Sequence, residues 1–116
     1  MEGLEILDHQ AAGYSRVMEF GAWTVAIMNY AEALDFANRD TCRIERHNKT
    51  DEVFVLLEGT SSLLIGEDKQ EVVMEKGKVY NVKAGVWHAT LSSKDAKILI
   101  VENADTGADN TDRKYL

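Results

Sequence analysis

The chain has 116 residues, 45% of them hydrophobic and 28% charged, which is the size and composition of one folded domain with a single sizeable core. Its formal net charge of −7 disfavours phosphate backbones and anionic lipids, so we expect no nucleic-acid partner and no membrane partner. The single cysteine, Cys42, excludes an internal disulfide, and the N-terminus has no basic, apolar leader, so we expect a cytoplasmic protein.

Short runs rich in β-branched and aromatic residues recur along the chain, separated by clusters of Gly, Asn, Asp and Ser, and the sequence contains no proline. Nine strands are predicted, at residues 15–20, 23–30, 41–47, 52–57, 61–65, 70–74, 79–82, 87–91 and 97–102. Only residues 31–37 favour a helical turn or two. The pattern predicts one all-β domain over residues 1–103, a sandwich or barrel, followed by an acidic tail at residues 104–116 that is loose or docked.

The predicted strand at residues 52–57 is apolar on both faces. Phe54 and Leu56 form one set, and Val53, Val55 and Leu57 form the other. A strand with one solvated face alternates between apolar and polar residues, so both sets require cover. Burial of each such side chain is worth roughly 1.5 to 3 kcal/mol. Two ways of burying both sets remain possible: packing against a second sheet of the same chain, or contact with a partner chain in a homodimer.

Two histidines and two glutamates are predicted to meet inside the domain. Glu45 and His47 are two residues apart on one strand and therefore share a face. The polar turn at residues 48–51 reverses the chain and can bring Glu52 beside His47. His88 lies at the start of a late strand. Imidazole nitrogens and carboxylate oxygens together form a donor set that a divalent transition metal accepts.

At these residues the sequence resembles the cupin family. Glu45, His47, Glu52 and Gly59 have the spacing of the first cupin motif, G-x5-H-x-H-x3,4-E-x6-G. Residues 77–92 have the spacing of the second motif, G-x5-P-x-G-x2-H-x3-N. The six positions that match are His47, Glu52, Gly59, Gly77, Gly85 and His88. The four that depart are Arg39 for the opening glycine, Glu45 for the first histidine, Lys83 for proline and Ser92 for asparagine.

The resemblance implies a double-stranded β-helix, or jelly-roll barrel, that is often dimeric. It also implies that His47, Glu52 and His88 are metal ligands, whereas ligation by Glu45 is our inference, because Glu45 takes the place of a histidine. Two carboxylates would neutralise a divalent ion, and such a site favours Mn, Fe or Zn, with Ni also compatible.

Other roles for Glu45 remain open at this stage. Without a metal, Glu45 and Glu52 would repel each other, and one of them would hold a proton and could serve as a general acid or base. Alternatively, Glu45 forms a salt bridge with Arg43 or Arg46.

Two functional classes follow from this donor set. The first is a metalloprotein that acts on a small polar metabolite as an isomerase, lyase or oxygenase, and the second is a non-catalytic module that binds or senses a small ligand. The sequence contains no catalytic triad pattern, P-loop or dinucleotide fingerprint, so no catalytic residue is assigned. The fold does not decide between the two classes.

Overall fold

The computed structural model describes residues 2–115, without the side chain of Ala108. Met1, where the predicted domain begins, and Leu116, where the predicted tail ends, lie outside the described residues. The described chain is built almost entirely of strands. They are β1 (Gly13–Phe20), β2 (Trp23–Asn29), β3 (Ile44–His47), β4 (Glu52–Glu58), β5 (Ser61–Ile65), β6 (Gln70–Val73), β7 (Tyr80–Val82), β8 (His88–Ser92), β9 (Lys97–Asn103) and β10 (Thr111–Lys114). Short 3-10 helices span Glu32–Leu34, Phe36–Asn38 and Ala108–Asn110.

The strands form two five-stranded sheets. The first has the order β1-β2-β9-β4-β7, and the second has the order β10-β3-β8-β5-β6. The pairs within both sheets are antiparallel. Strands distant in sequence lie side by side, such as β2 with β9 and β3 with β8, which is the connectivity of a jelly roll. The predicted all-β jelly-roll fold is confirmed.

The hydrophobic core lies between the two sheets. Both sheets contribute to it, and its buried members are Ala26, Met28, Phe54, Leu56, Leu63, Met74, Val82, Ile98 and Ile100. Because successive side chains on a strand point to opposite faces, Phe54 and Leu56 of β4 share the inner face with Glu52. The same parity places Glu102 on the inner face of β9 with Ile98 and Ile100.

The second sheet packs against the inner set of β4, and no third sheet in residues 2–115 covers the outer set. Val53 and Val55 are half-buried, and Leu57 is 43% exposed. The neighbouring strand β9 continues this apolar surface through Leu99 and Val101, which pair with Val55 and Val53. The outer face of the first sheet therefore remains apolar and partly exposed.

The tight turns depend on glycine where the chain returns close to itself. Gly59 has φ +74°, and a Cβ there would lie 2.6 Å from the backbone of Ala96. Gly85 has φ +82° but faces open space. The left-handed region is favourable only for glycine, so the two positions differ in steric room and not in backbone conformation.

Two segments differ from the sequence-based expectation. The third strand begins at Ile44 and not at residue 41, because Thr41 and Cys42 donate backbone hydrogen bonds to the carbonyl of Asn38 and continue the preceding turn. The segment predicted as the tail contains β10, which pairs with β3 at the edge of the second sheet. None of the helices in residues 2–115 has the length and hydropathy to cross a membrane.

Candidate metal centre

Three strands of the structure bring together the four predicted ligands. β3 carries Glu45 and His47, β4 begins with Glu52, and β8 begins with His88. Glu45 and His88 are directly paired across β3 and β8. One donor atom from each of the four side chains lies within 4.8 Å of all the others. Strand pairing brings His88 beside Glu45, and Glu52 joins them from β4 of the facing sheet.

Glu52 is the centre of the cluster. The Nε2 atoms of His47 and His88 each lie 3.0 Å from its Oε1 atom, and all three side chains are at most 8% exposed. Burial alone would raise the pKa of Glu52, but the hydrogen bonds and charges of the two imidazoles outweigh it and lower this pKa to about 2. Burial alone would lower the pKa of His88, but the bond to Glu52 raises it.

The second nitrogen of each imidazole has its own partner. Nδ1 of His88 lies 3.0 Å from the carbonyl oxygen of Val86, and Nδ1 of His47 lies 2.9 Å from the hydroxyl of Thr111. A carbonyl only accepts, so Nδ1 of His88 must carry a hydrogen, and the lone pair of a neutral His88 is then on Nε2. That tautomer fits a metal ligand whose ring is oriented by its surroundings. The donor set and its supporting bonds therefore fit a divalent cation.

Glu45 differs from the other three members of the cluster. Its side chain is 30% exposed, and its Oε2 atom lies 3.2 Å from Nε of Arg113 on β10. The alternative salt bridge of Glu45 with Arg43 or Arg46 does not form. Within residues 2–115 Arg43 has no ion pair, and Arg46 pairs with Asp112 at 3.1 Å and stacks over Trp87. The cationic partner of Glu45 is therefore Arg113, which is so distant in the sequence that inspection of neighbouring residues does not indicate it.

A further glutamate, which the sequence analysis did not identify as part of the site, lies beside the cluster. Glu102 on β9 pairs directly with Glu52 on β4 and is 7% exposed. It accepts a hydrogen bond from the hydroxyl of Tyr14 and lies 3.7 Å from Arg16. Burial and then the charge of Glu52 raise the pKa of Glu102 to about 7. The signal was present in the sequence, since Glu102 has the inward parity of Ile98 and Ile100.

The cluster opens into a cavity of about 760 Å³ between the two sheets. Met28, Leu34, Phe54 and Ile100 supply apolar wall, and three glutamates, two histidines and three arginines supply the charged part. The charged residues are Glu45, Glu52, Glu102, His47, His88, Arg16, Arg43 and Arg113. A cavity of this volume and mixed lining suits a small polar molecule.

Residues 35–102 match the family model described as "Cupin domain". No curated protein shows significant sequence similarity to the chain. Among solved structures, a cupin-2 domain containing protein from Shewanella frigidimarina is 22% identical with a TM-score of 0.63, over 83% of this chain and 84% of that one.

Two further solved structures share the fold at low sequence identity. Pac13, described as a nucleoside dehydratase, is 4% identical with a TM-score of 0.68, over 95% of this chain and 86% of that one. KdgF from a Halomonas species is 9% identical with a TM-score of 0.61, over 94% of each chain. These likenesses extend through both sheets and concern the fold alone.

Proposed function

Because the chain belongs to the Cupin domain family, we propose that it binds a divalent metal ion inside the barrel and acts on a small polar metabolite. The ligands in this proposal are Glu45, His47, Glu52 and His88. The observation that carries it is the convergence of four donor atoms within 4.8 Å, three of them on buried side chains. Buried carboxylates and imidazoles are costly unless they are paired or coordinate an ion.

The donor set favours Mn, Fe or Zn, and Ni is also compatible, since two nitrogen and two oxygen donors suit all of these ions. When bound, such an ion supplies Lewis acidity toward an oxygen atom of the substrate. The protein's own part is to hold the imidazoles in place through Val86 and Thr111 and to exclude water with the apolar wall. Glu102 and Tyr14 add a hydrogen-bonded carboxyl and hydroxyl to the same cavity.

The reaction we propose is of the isomerase, lyase or oxygenase type. The description of Pac13 as a nucleoside dehydratase supports this choice to the extent that it shows such chemistry on the same fold. The second candidate is a module that binds or senses a small ligand without turnover. It is favoured by the ion pair between Glu45 and Arg113, because an arginine that holds one ligand also restricts access to the cluster.

Elemental analysis of the untagged protein tests the metal. We expect near-stoichiometric Mn, Fe, Zn or Ni in the parent protein and its loss in Glu52→Gln and His88→Gln. His9→Gln is the matched control, because the third histidine of the chain bonds to the carbonyl of Gly13 outside the cluster. A parent protein without metal, or variants that keep it, would contradict the proposal. Turnover of a candidate substrate by the metal-loaded protein then separates the enzyme from the binding module.

We also propose a homodimer that buries the outer face of the first sheet. The apolar pairs Val53 with Val101 and Val55 with Leu99 support it, as does the exposed Leu57. Light scattering should give twice the chain mass for the parent protein and the monomer mass for Leu57→Lys. The unpaired Cys42 supports a cytoplasmic location.

A further inference from the structure

The charges around the cavity are not evenly distributed. The chain has eight lysines and five arginines, and among the described residues three arginines line the cavity but no lysine does. The protein as a whole carries a net charge of −7. An acidic protein that places guanidinium groups around one cavity creates a local site for anions within a surface that otherwise repels them. Guanidinium groups are suited to this task because they bind carboxylate and phosphate oxygens in pairs.

The three arginines differ in how they are held. Arg16 is engaged by the walls, since it donates to the carbonyl of Thr106 at 3.0 Å and to the hydroxyl of Tyr14 at 3.3 Å. Arg43 directly precedes β3, lines the cavity and is exposed. Within residues 2–115, Arg43 forms no ion pair. The positive charge of Arg43 at the cavity is therefore not neutralised by any acidic side chain in residues 2–115.

Arg113 has a partner that the proposed metal site also requires. Its Nε atom contacts Oε2 of Glu45, which is one of the four proposed ligands. Once the carboxylate of Glu45 neutralises a metal ion, its charge is no longer available to compensate Arg113. Arg113 and Arg43 then present two positive charges at one cavity, and both are close to β3, because Arg113 pairs with Glu45 and Arg43 lies two residues before it.

We propose that Arg43 and Arg113 bind the anionic group of the substrate, which makes the substrate a carboxylate- or phosphate-bearing metabolite. This inference rests on the proposed function, because it takes the charge of Glu45 to be used by the metal. The anionic group pairs with the two guanidinium groups, while the rest of the molecule extends toward Glu52 and the two imidazoles. Arg16 holds the wall of the cavity and is not part of the anion site.

Titration calorimetry with the metal-loaded protein tests the proposal, with succinate, inorganic phosphate and neutral succinamide as ligands. We expect succinate, phosphate or both to bind at millimolar concentration and succinamide to bind at least about tenfold more weakly, because succinamide has no negative charge to pair with the guanidinium groups. The stronger anion distinguishes a carboxylate from a phosphate substrate. Arg43→Gln should weaken anion binding about tenfold.

Arg46→Gln is the matched control, because Arg46 is three residues away, on β3, but faces outward against Trp87 and Asp112. Its anion affinity should stay within about twofold of the parent value. Equal losses in Arg43→Gln and Arg46→Gln, equal binding of succinate and succinamide, or no binding of either anion would overturn the proposal. The metal content of the same samples is measured in parallel. Stoichiometric metal without arginine-dependent anion binding rejects only this inference, whereas a protein that takes up no metal rejects the proposed function.

Discussion

Glu52 on β4 and Glu102 on β9 are directly paired across two antiparallel strands, and both carboxyl groups are buried on the inner face. Like charges placed opposite each other are unfavourable, and burial adds to that cost. The two groups resolve the conflict in different ways. Glu52 keeps its charge because His47 and His88 bond to it, and Glu102 retains a proton at higher pH than an ordinary glutamate.

The first prediction concerns the stability of the metal-free protein as pH changes. The pKa of Glu102 is raised from 4.5 to about 7 in the folded protein, so folding favours the protonated form. Ionisation of Glu102 therefore lowers the free energy of unfolding. This loss is absent below the pKa that Glu102 has in the unfolded chain, develops as pH rises between about 4.5 and 7, and is complete above pH 7. Glu102→Gln should therefore stabilise the metal-free protein at pH 8 by roughly 1 to 2 kcal/mol, after allowance for solvent screening, and much less at pH 4.5.

Urea unfolding at several pH values measures this difference. Glu58→Gln is the control, because Glu58 ends the same strand β4 at an exposed position. A gain of the same size in Glu58→Gln would assign the effect to the overall net charge and not to Glu102. A Glu102→Gln curve that runs parallel to the parent curve would show that folding does not change the pKa of Glu102.

Strand periodicity predicted an all-β domain and part of the cluster, and the family resemblance added the jelly-roll topology and His88. Glu45 and His47 share a face through their spacing, and Glu52 follows them across a short turn. His88 is brought in by the pairing of β3 with β8, which the family resemblance implied and periodicity alone does not. The position of buried Glu102 could have been read in the same way, since it has the inward parity of β9.

β10 could not be predicted, because its sequence Thr-Asp-Arg-Lys contains no apolar residue. It is an edge strand held by backbone pairing to β3 and by the contacts of Arg46 with Asp112 and of Lys114 with Trp87. Such pairing joins residues more than sixty positions apart. Thr111 and Arg113 reach the cluster only through this pairing, and no local pattern in the sequence indicates it.

The second prediction is that Thr111 positions His47. Thr111→Val removes the hydroxyl bonded to Nδ1 of His47 and keeps the volume of the side chain. Loss of such a supporting bond typically costs 10- to 100-fold in metal affinity, so we expect that range in a competition titration with a chelator. Thr111→Ser keeps the hydroxyl and should retain the affinity of the parent protein. Equal affinity in the valine and serine variants would show that the bond has no positioning role.

The third prediction compares two glycines with similar backbone conformation. Gly85→Ala meets open space and should cost about 1 kcal/mol of unfolding free energy, the strain of a left-handed alanine. Gly59→Ala adds a Cβ 2.6 Å from the backbone of Ala96, so it should cost more than about 3 kcal/mol. Urea unfolding measures both values. Similar losses in the two variants would mean that the chain near Ala96 moves aside and that the close approach is not required.

The fourth prediction ranks the two glutamates of the cluster. Glu52 is 7% exposed and bonded to both imidazoles, whereas Glu45 is 30% exposed and shares its carboxylate with Arg113. Metal binding at Glu45 must break or weaken that ion pair, so Glu45 contributes less than Glu52 to the free energy of metal binding. Glu45→Gln should lower metal affinity clearly, but by less than Glu52→Gln, in the same chelator competition. Glu67→Gln is the control and should leave the metal affinity unchanged, because Glu67 is exposed and pairs with Lys114 outside the cluster.

The outcome decides whether Glu45 replaces the first histidine of the family motif as a ligand. A Glu45→Gln variant with the affinity of the parent protein would remove Glu45 from the ligand set and leave it as the partner of Arg113. In that case Arg113 would stay neutralised when metal binds, and only Arg43 would remain for an anionic substrate. A graded loss, with Glu52 first and Glu45 second, instead ties the metal and the arginine to one carboxylate, so that occupancy of the metal site sets the charge available at the cavity.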